Sequence, residues 1–461
     1  MSGTYTTEYF DIIDNLQGDL PGRLAAARFM RQSSAIVHGE VVPSTFVPRL
    51  YGAETRALFA DATTMISSIL GKVMDRFVSD ERYRSLFGFD DRIVKLALAP
   101  RGYASHMPIA RFDLFLNEET GEWHFCEFNT DGTSGMNEDR EIFRSIEGSP
   151  SYQVFSEHHH TEPNELFDSW IDTFLSVYRS SPQAVSHPTV AICDYLDHST
   201  TQELEVYCDR FNERGVSCRI VDVRTLRFDE GSNTLLDSTG TPIDAVWRRF
   251  VCKDVLERWG ESQALVSAIL RGGTVLIGGF LNQIAHDKRI FKVLRDPLTQ
   301  EFLSVEERKF VEQHIPFTEY LDSGLIDIEE VAAHKDSWVI KPTDDYGASD
   351  VFVGPMYSEG EWRDLVCAHA DAASGRPFLA QRFVAPYATL TMPAEALPDP
   401  DASTSCEHEL SQRAPRAFYN NLTGMYSFDG KFSGVFSRLG PHSIVCGPYG
   451  GVTAATVWVD C

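Results

Sequence analysis

The chain has 461 residues, 43% hydrophobic and 23% charged, ordinary globular values that exclude a disordered, collagenous or low-complexity chain; at about three times the ~150-residue domain prior, it implies two or three domains or one large α/β enzyme. Its 41 Lys and Arg against 67 Asp and Glu leave a net charge of −26, which repels DNA, RNA and anionic membranes but still allows a local group of cations to hold a small anion. The cysteines at 126, 193, 208, 218, 252, 367, 406, 446 and 461 are odd in number and lack a C-x-x-C pair, so a reduced cytoplasmic chain is expected; no signal peptide and no apolar run of about 18 residues is visible.

Residues 1–93 read as a helical region. Within 57–78, Leu58, Met65, Ile66, Ile69, Leu70 and Val73 recur at three- and four-residue spacings, the stripe of a core helix, and the region shows no chemistry. Residues 94–186 open with alternation in ARFDLFLN, a turn in EETGE and a second alternating run, WHFCEFN, which together predict a β-hairpin; a helix follows over PNELFDSWIDTFLSVYRS. His158, His159 and His160 read as a solvated loop. Residues 187–285 alternate strand and helix (HPTVAICDYL, STTQELEVYCDRFNERG, VSCRIVDV, AVWRRFV, GTVLIGG), the pattern of an open Rossmann-like unit with a parallel sheet, though without the G-x-G-x-x-G of a dinucleotide site. Residues 286–461 carry a charged helical stretch, the strands SWVIKP, DVFVG and PFLAQRFV, an acidic Pro-rich segment at 393–415 expected to be an exposed insertion, and short strands turning at FDGK and LGP.

The hairpin carries the sharpest chemical signal. Period two places Arg111, Asp113, Phe115 and Asn117 on one face, and Trp123, Phe125, Glu127 and Asn129 together on the partner strand. With a five-residue turn at 118–122, Asp113 lies opposite Glu127 and Arg111 opposite Asn129. Two carboxylates and an amide oxygen repel one another unless a cation sits between them, and hard oxygen donors of this kind suit Mg²⁺. A solvated Arg–Asp–Glu cluster would leave the same pattern. Lys341 ends an apolar strand before a Gly-containing loop, a candidate phosphate site, although a strand-end lysine reaching water reads the same way. Gln381 and Arg382 interrupt an apolar strand whose backbone could meet an adenine edge, and Lys288 lies on an amphipathic helix. Either Arg248 or Arg249, at the end of AVWRRF, and Arg438, in GVFSRLG, could bind a carboxylate. Neither a Walker A motif, G-x-S-x-G nor H-E-x-x-H is present.

RFD, EFNTDGTS, a helix-borne lysine, KP…YG and QRFV follow one another in an order that resembles the glutathionylspermidine synthase-like, circularly permuted branch of the ATP-grasp ligases, across roughly residues 95–461. The resemblance implies a circularly permuted ATP-grasp-like α/β (α+β) fold. Its core would be split between 94–186 and 286–461, around the Rossmann-like unit at 187–285. It also implies Asp113, Glu127 and Asn129 as Mg²⁺ ligands and Arg111 as the arginine on the transferring phosphoryl group. Lys288, Lys341 and Gln381 would bind ATP, with Asp131, Thr133 and Ser134 at the acid substrate. About 90 cysteine-free residues precede the hairpin, so the family's amidase is not expected.

These readings imply an ATP- and Mg²⁺-dependent carboxylate–amine ligase acting on small molecules, an amino acid, peptide or polyamine, through an acyl phosphate. A γ-glutamyl or dipeptide ligase is one special case. Nucleic-acid and membrane partners are not expected, and the sequence leaves the oligomeric state open. Two other readings stand: a non-catalytic nucleotide-binding sensor or scaffold, and a metal-independent hydrolase using Asp113 and Glu127 as acid and base. Loop 343–349 and segment 393–415 are the candidate lids.

Overall fold

The computed structural model describes residues 2–37, 39–197, 199–322, 324–345, 347–370, 376–393 and 415–461. All but the two end residues of the expected insertion at 393–415 lie outside the described residues, as does Tyr346 of the loop 343–349.

The architecture mixes helices and sheets, as the alternating pattern implies. A six-stranded antiparallel sheet holds the hairpin. It runs Val452–Ala454, Lys431–Gly440, Ala417–Phe428, Ile109–Leu116, Trp123–Asn129, with Ala388–Thr391 also paired to Ala417–Phe428. Phe112, Leu114, Phe125 and Phe128 form the buried side of the hairpin, in one core with the helix Ala53–Ser79. That helix buries Phe59, Ile66, Ile69, Leu70, Val73, Met74 and Phe77 along one stripe, while Leu58 and Met65 sit at its half-buried edges. It is the one helix among the described residues long and apolar enough to cross a membrane by length and composition; half of its apolar window is packed inside the molecule.

The hairpin register decides which side chains share a face. Arg111 pairs with Asn129 and Asp113 with Glu127, as the turn length predicts. Beyond Asp113 the register slips by one, so that Leu114 faces Phe125 and Leu116 faces Trp123. Cys126 is the extra residue of a β-bulge. A bulge turns the strand relative to simple alternation. Trp123 and Phe125, expected beside Glu127 and Asn129, therefore point into the core, where Phe125 packs edge-on to Phe128 at 5.1 Å.

Four parallel strands form the predicted α/β unit, in the order Val275–Ile277, Ala245–Arg248, Thr189–Asp194, Ser217–Asp222. The helices Gln202–Glu213 and Gln263–Arg271 lie between successive strands in the chain. A smaller antiparallel sheet, Thr318–Tyr320, Phe378–Arg382, Trp338–Pro342, Phe352–Val353, closes over its own core of Trp338, Ile340, Trp362 and Phe378, with the helices Ile328–Ala333 and Glu359–His369 against it. The first 93 residues are not wholly helical. Arg49–Gly52 pairs in parallel with Thr456–Val459, whose other edge takes Thr161–Pro163, and Ile36–Val37 pairs with Glu40–Val41. Runs of two and four residues are too short for alternation to reveal them.

Candidate functional site

The antiparallel sheet, the α/β unit and the smaller sheet meet at a cleft of about 880 Å³. From the hairpin, Arg111, Glu127 and Asn129 line it, with Arg438 from the neighbouring Lys431–Gly440 strand. Cys126 lines it too, because the bulge brings this residue round from the far face that alternation predicts. Asp113 does not line the cleft. It is 0% exposed, and its carboxylate accepts hydrogen bonds from Arg111 Nε (2.7 Å) and Nη2 (3.0 Å), Arg438 Nη2 (2.8 Å) and Asn129 Nδ2 (3.1 Å). Asp113 and Glu127 pair across the two strands as expected, and of the two only Glu127 lines the cleft in this structure.

Lys288 and Lys341 both line the cleft and are buried. Lys288 is not on an amphipathic helix as expected but in the turn between the short helices Gln283–His286 and Ile290–Val293, where its own amide is fixed on Thr343 O (2.8 Å); its ammonium lies 3.6 Å from Glu127. Lys341 donates to Gln381 Oε1 (2.9 Å) and Cys126 O (3.3 Å), and Gln381 donates to Thr318 Oγ1 (2.8 Å). Burial, then repulsion from Lys288, lowers the Lys341 pKa to about 8. Burial opposes ionisation of Glu127, but Lys288, Lys341, His286 and Arg438 together hold its carboxyl below the ordinary range. Glu127 is thus an anion facing the cleft amid cations.

The segment after the hairpin is a turn locked to the α/β unit. Thr133 Oγ1 donates to Asn129 O (2.7 Å), so this hydroxyl is spent within the turn and does not present itself to a substrate. Asp131 lines the cleft, but its carboxylate accepts from the Cys252 amide (2.7 Å) and pairs with Arg248. Arg248, expected at the substrate, is turned inward instead: it donates to Gly278 O (2.9 Å) and Phe250 O (2.7 Å) and lies over the Phe280 ring at 4.4 Å. Its neighbour Arg249 lines the cleft, since successive residues at a strand end point opposite ways. Gly132 has a positive φ of 67°, and a Cβ there would stand 2.7 Å from Arg249 O, so only glycine permits this docking. Ser134 is exposed at the cleft wall, and its carbonyl accepts from Arg111 Nη1 (2.9 Å) and Tyr426 Oη (2.8 Å).

No protein-family model matches this chain, and no curated protein does. Solved structures do. A glutathione synthetase-like effector from Globodera pallida, in apo form, superposes with a TM-score of 0.61 at 12% identity, over 95% of this chain and 96% of that one. The two share a fold. Looser overlaps are found with a putative γ-glutamylcysteine synthetase from Methylobacillus flagellatus (TM-score 0.38, 11% identity, 85% of this chain and 88% of that one) and a RimK-domain ATP-grasp protein from Sphaerobacter thermophilus (0.28, 14%, 58% and 89%).

Several cleft residues escaped the sequence reading. Ser34–Val37, in the region read as lacking chemistry, form one wall, where Asn137 Nδ2 holds Ser34 O at 2.8 Å and Val37 is 37% exposed. No motif marks them. Glu138, Asp194, Glu203 and Asp254 also line the cleft. Glu203 is satisfied by the Gly135 and Asn137 amides (both 3.0 Å) and Arg249 (3.1 Å). Burial, then Glu203, raises the Glu138 pKa to about 7, and burial raises Asp194 and Asp254. Asp194 had a usable signal, since ligands collect at the carboxyl ends of parallel strands.

The cleft lining mixes cations (Arg111, Arg249, Lys288, Lys341, Arg438) with carboxylates (Glu127, Glu138, Asp194, Glu203, Asp254). Among the described residues no cluster of three or more His, Cys, Asp or Glu forms a ready cage for a metal. Mg²⁺ does not need one, because it takes one or two protein oxygens and fills its shell with phosphate and water. Glu127 and Asn129 fit that role. Asp113 can only accept, so the Asn129 amide nitrogen faces it and the amide oxygen points away.

Proposed function

We propose that this chain is an ATP- and Mg²⁺-dependent carboxylate–amine ligase of the ATP-grasp type, with the permuted element order of the glutathionylspermidine synthase-like synthetases. One observation carries the reading: Lys288, Lys341 and Gln381, which come from separate elements of the chain, meet Arg111, Glu127, Asn129 and Arg438 in one cleft. The apolar side chains Val339, Val353, Leu422 and Ile444 suit an adenine ring beside Gln381, and Lys288 and Lys341 suit its phosphates. Mg²⁺ bound through Glu127 and Asn129 would neutralise phosphate charge.

In this reading a substrate carboxylate near Ser134 attacks the terminal phosphorus and ADP leaves. Arg111 and Arg438 stabilise the charge on the transferring group. The acyl phosphate carries a good leaving group; an amine adds to its carbonyl, phosphate departs and an amide remains. Glu138, Asp194 and Asp254 line the cleft and suit an amine arriving as its ammonium ion, which must give up a proton before it attacks; Glu138, its pKa raised by burial to about 7, can take that proton.

The test is ADP release with Mg²⁺-ATP and pooled amino acids, glutathione and polyamines, with mass spectrometry of the products. Substrate-dependent ADP and a new amide mass are expected, and dividing the pool separates a γ-glutamyl or dipeptide ligase from a polyamine ligase. Tight ATP binding without turnover on any pool would favour a nucleotide sensor. Absence of ATP binding would refute both.

A further inference from the structure

We infer that the short hairpin of Ile36–Val37 and Glu40–Val41 is the specificity wall for the amine, and that it selects an amine with one ammonium and an aliphatic group; the inference rests on the ligase reading above and narrows its second substrate. Ser34, Ala35, Ile36 and Val37 line the cleft, and Val37 is 37% exposed. An apolar side chain left open at a cleft wall gains by meeting an apolar partner. The hairpin is held from both sides. Asn137 Nδ2 donates to Ser34 O (2.8 Å) and to Ser34 Oγ (3.0 Å), and the Val42 amide donates to Ala35 O (3.0 Å).

The same asparagine ties this wall to the carboxylates. The Asn137 amide donates to Glu203 Oε2 (3.0 Å), and the next residue, Glu138, lies close enough to Glu203, Arg438 and Arg111 to feel their charge. Among the described residues Glu138 accepts one hydrogen bond, from Thr453 Oγ1 (3.1 Å), which leaves its other oxygen for a substrate. Arg111 and Arg438 are the groups assigned above to the transferring phosphoryl group, so an amine on Glu138 stands near the acyl phosphate. Its substituent then meets Ile36 and Val37, and Leu204, the residue after Glu203, lines the cleft as well. A polyamine carries a further ammonium a few carbons from the first, and that charge would lose its water against the same aliphatic wall. A single ammonium with an aliphatic group meets no such cost. A branched amino acid and a simple aliphatic amine share this chemistry.

The experiment uses the full chain with Mg²⁺ and a non-hydrolysable ATP analogue. Saturation-transfer NMR reads the affinities of L-leucine, isoamylamine, glycine and spermidine, and calorimetry reads that of the analogue. The tighter of leucine and isoamylamine is expected to bind at least about tenfold better than glycine or spermidine, the discrimination that a few methylenes give in an apolar site. Which of those two is tighter tells whether the amine arrives as an amino acid. Val37→Ser is expected to cut the aliphatic preference at least about threefold at unchanged affinity for the analogue. A merely structural role for the wall would weaken the analogue and the amines together. Glycine or spermidine binding as tightly as the aliphatic probes would overturn the proposal, as would a preference that survives in Val37→Ser. Should Val37→Ser not fold, the four affinities of the parent decide. A parent that binds the analogue but none of the four amines would overturn the wall and leave the nucleotide reading standing; one that binds no analogue would remove the ligase reading and the wall with it.

Discussion

Replacing Lys341 by Met should make the protein more stable at pH 7 while abolishing the ATP binding proposed above. Lys341 is 5% exposed, and burial with repulsion from Lys288 lowers its pKa from 10.5 to about 8. Each tenfold loss of proton affinity corresponds to about 1.4 kcal/mol, so keeping this ammonium charged costs the folded state about 3 kcal/mol. Below pH 8 the lysine is charged in the folded and unfolded chain alike, and the penalty is fully present. Between pH 8 and 10.5 the folded chain sheds the proton first, and stability rises with pH. Methionine fills a similar volume without charge but forfeits the hydrogen bond to Gln381 Oε1, worth about 1 kcal/mol. The net expectation is a gain of about 2 kcal/mol at pH 7 that closes as the pH approaches 10. Urea unfolding at pH 7 and 9.5, with ATP binding by calorimetry, measures both halves. A Met variant less stable than its parent at pH 7, or a stability gap that does not change with pH, would refute the reasoning.

Two further substitutions probe the packing around the cleft. Gly424→Ala should cost about 1–3 kcal/mol by overpacking against Arg111 and Asp113, and should weaken ATP binding as the pair is displaced; full stability in urea would mean that the Arg111 and Asp113 side chains leave room for a Cβ at position 424. Arg248→Met leaves buried Asp131 with the Cys252 amide alone, and should cost about 3–5 kcal/mol, part of which Asp131→Asn in the same background restores. A cost below about 1 kcal/mol by urea unfolding would show that the pair is not what fixes the 129–135 turn to the α/β unit.

The sequence made some of this legible for identifiable reasons. The pairing of Arg111 with Asn129 and Asp113 with Glu127 follows from turn length and period two, both local properties. The bulge does not, because Cys126 differs from its neighbours in nothing that a single strand reveals; it arises where the hairpin accommodates both the phenylalanine core and the cleft. Facing positions alone also left the fate of Asp113 open. Its carboxylate is sealed by Arg438, on a strand more than 300 positions away, and no periodicity reports such a partner. Arg248 and Arg249 were indistinguishable as adjacent arginines until the strand end fixed which one turned inward. The four parallel strands of the α/β unit were legible because each is an apolar run followed by a patterned helix, whereas Arg49–Gly52 and Ile36–Val37 were too short to register.

The pairing of Arg49–Gly52 with Thr456–Val459 bears on how the chain comes to be folded at all. Cys461 reaches the carbonyl of Tyr51 across 410 positions, and the hairpin strand Ile109–Leu116 borrows its neighbour from Ala417–Phe428. Such distant pairings carry a large loop-closure entropy, and topologies that depend on them fold slowly. As the chain leaves the ribosome, Ile109–Leu116 presents an unpaired, apolar edge until some 300 further residues have been made. That edge is a site for self-association. The α/β unit at 187–285, whose strands find partners within the segment, can mature while the chain is still growing, and the cleft comes into being only after the late strands arrive.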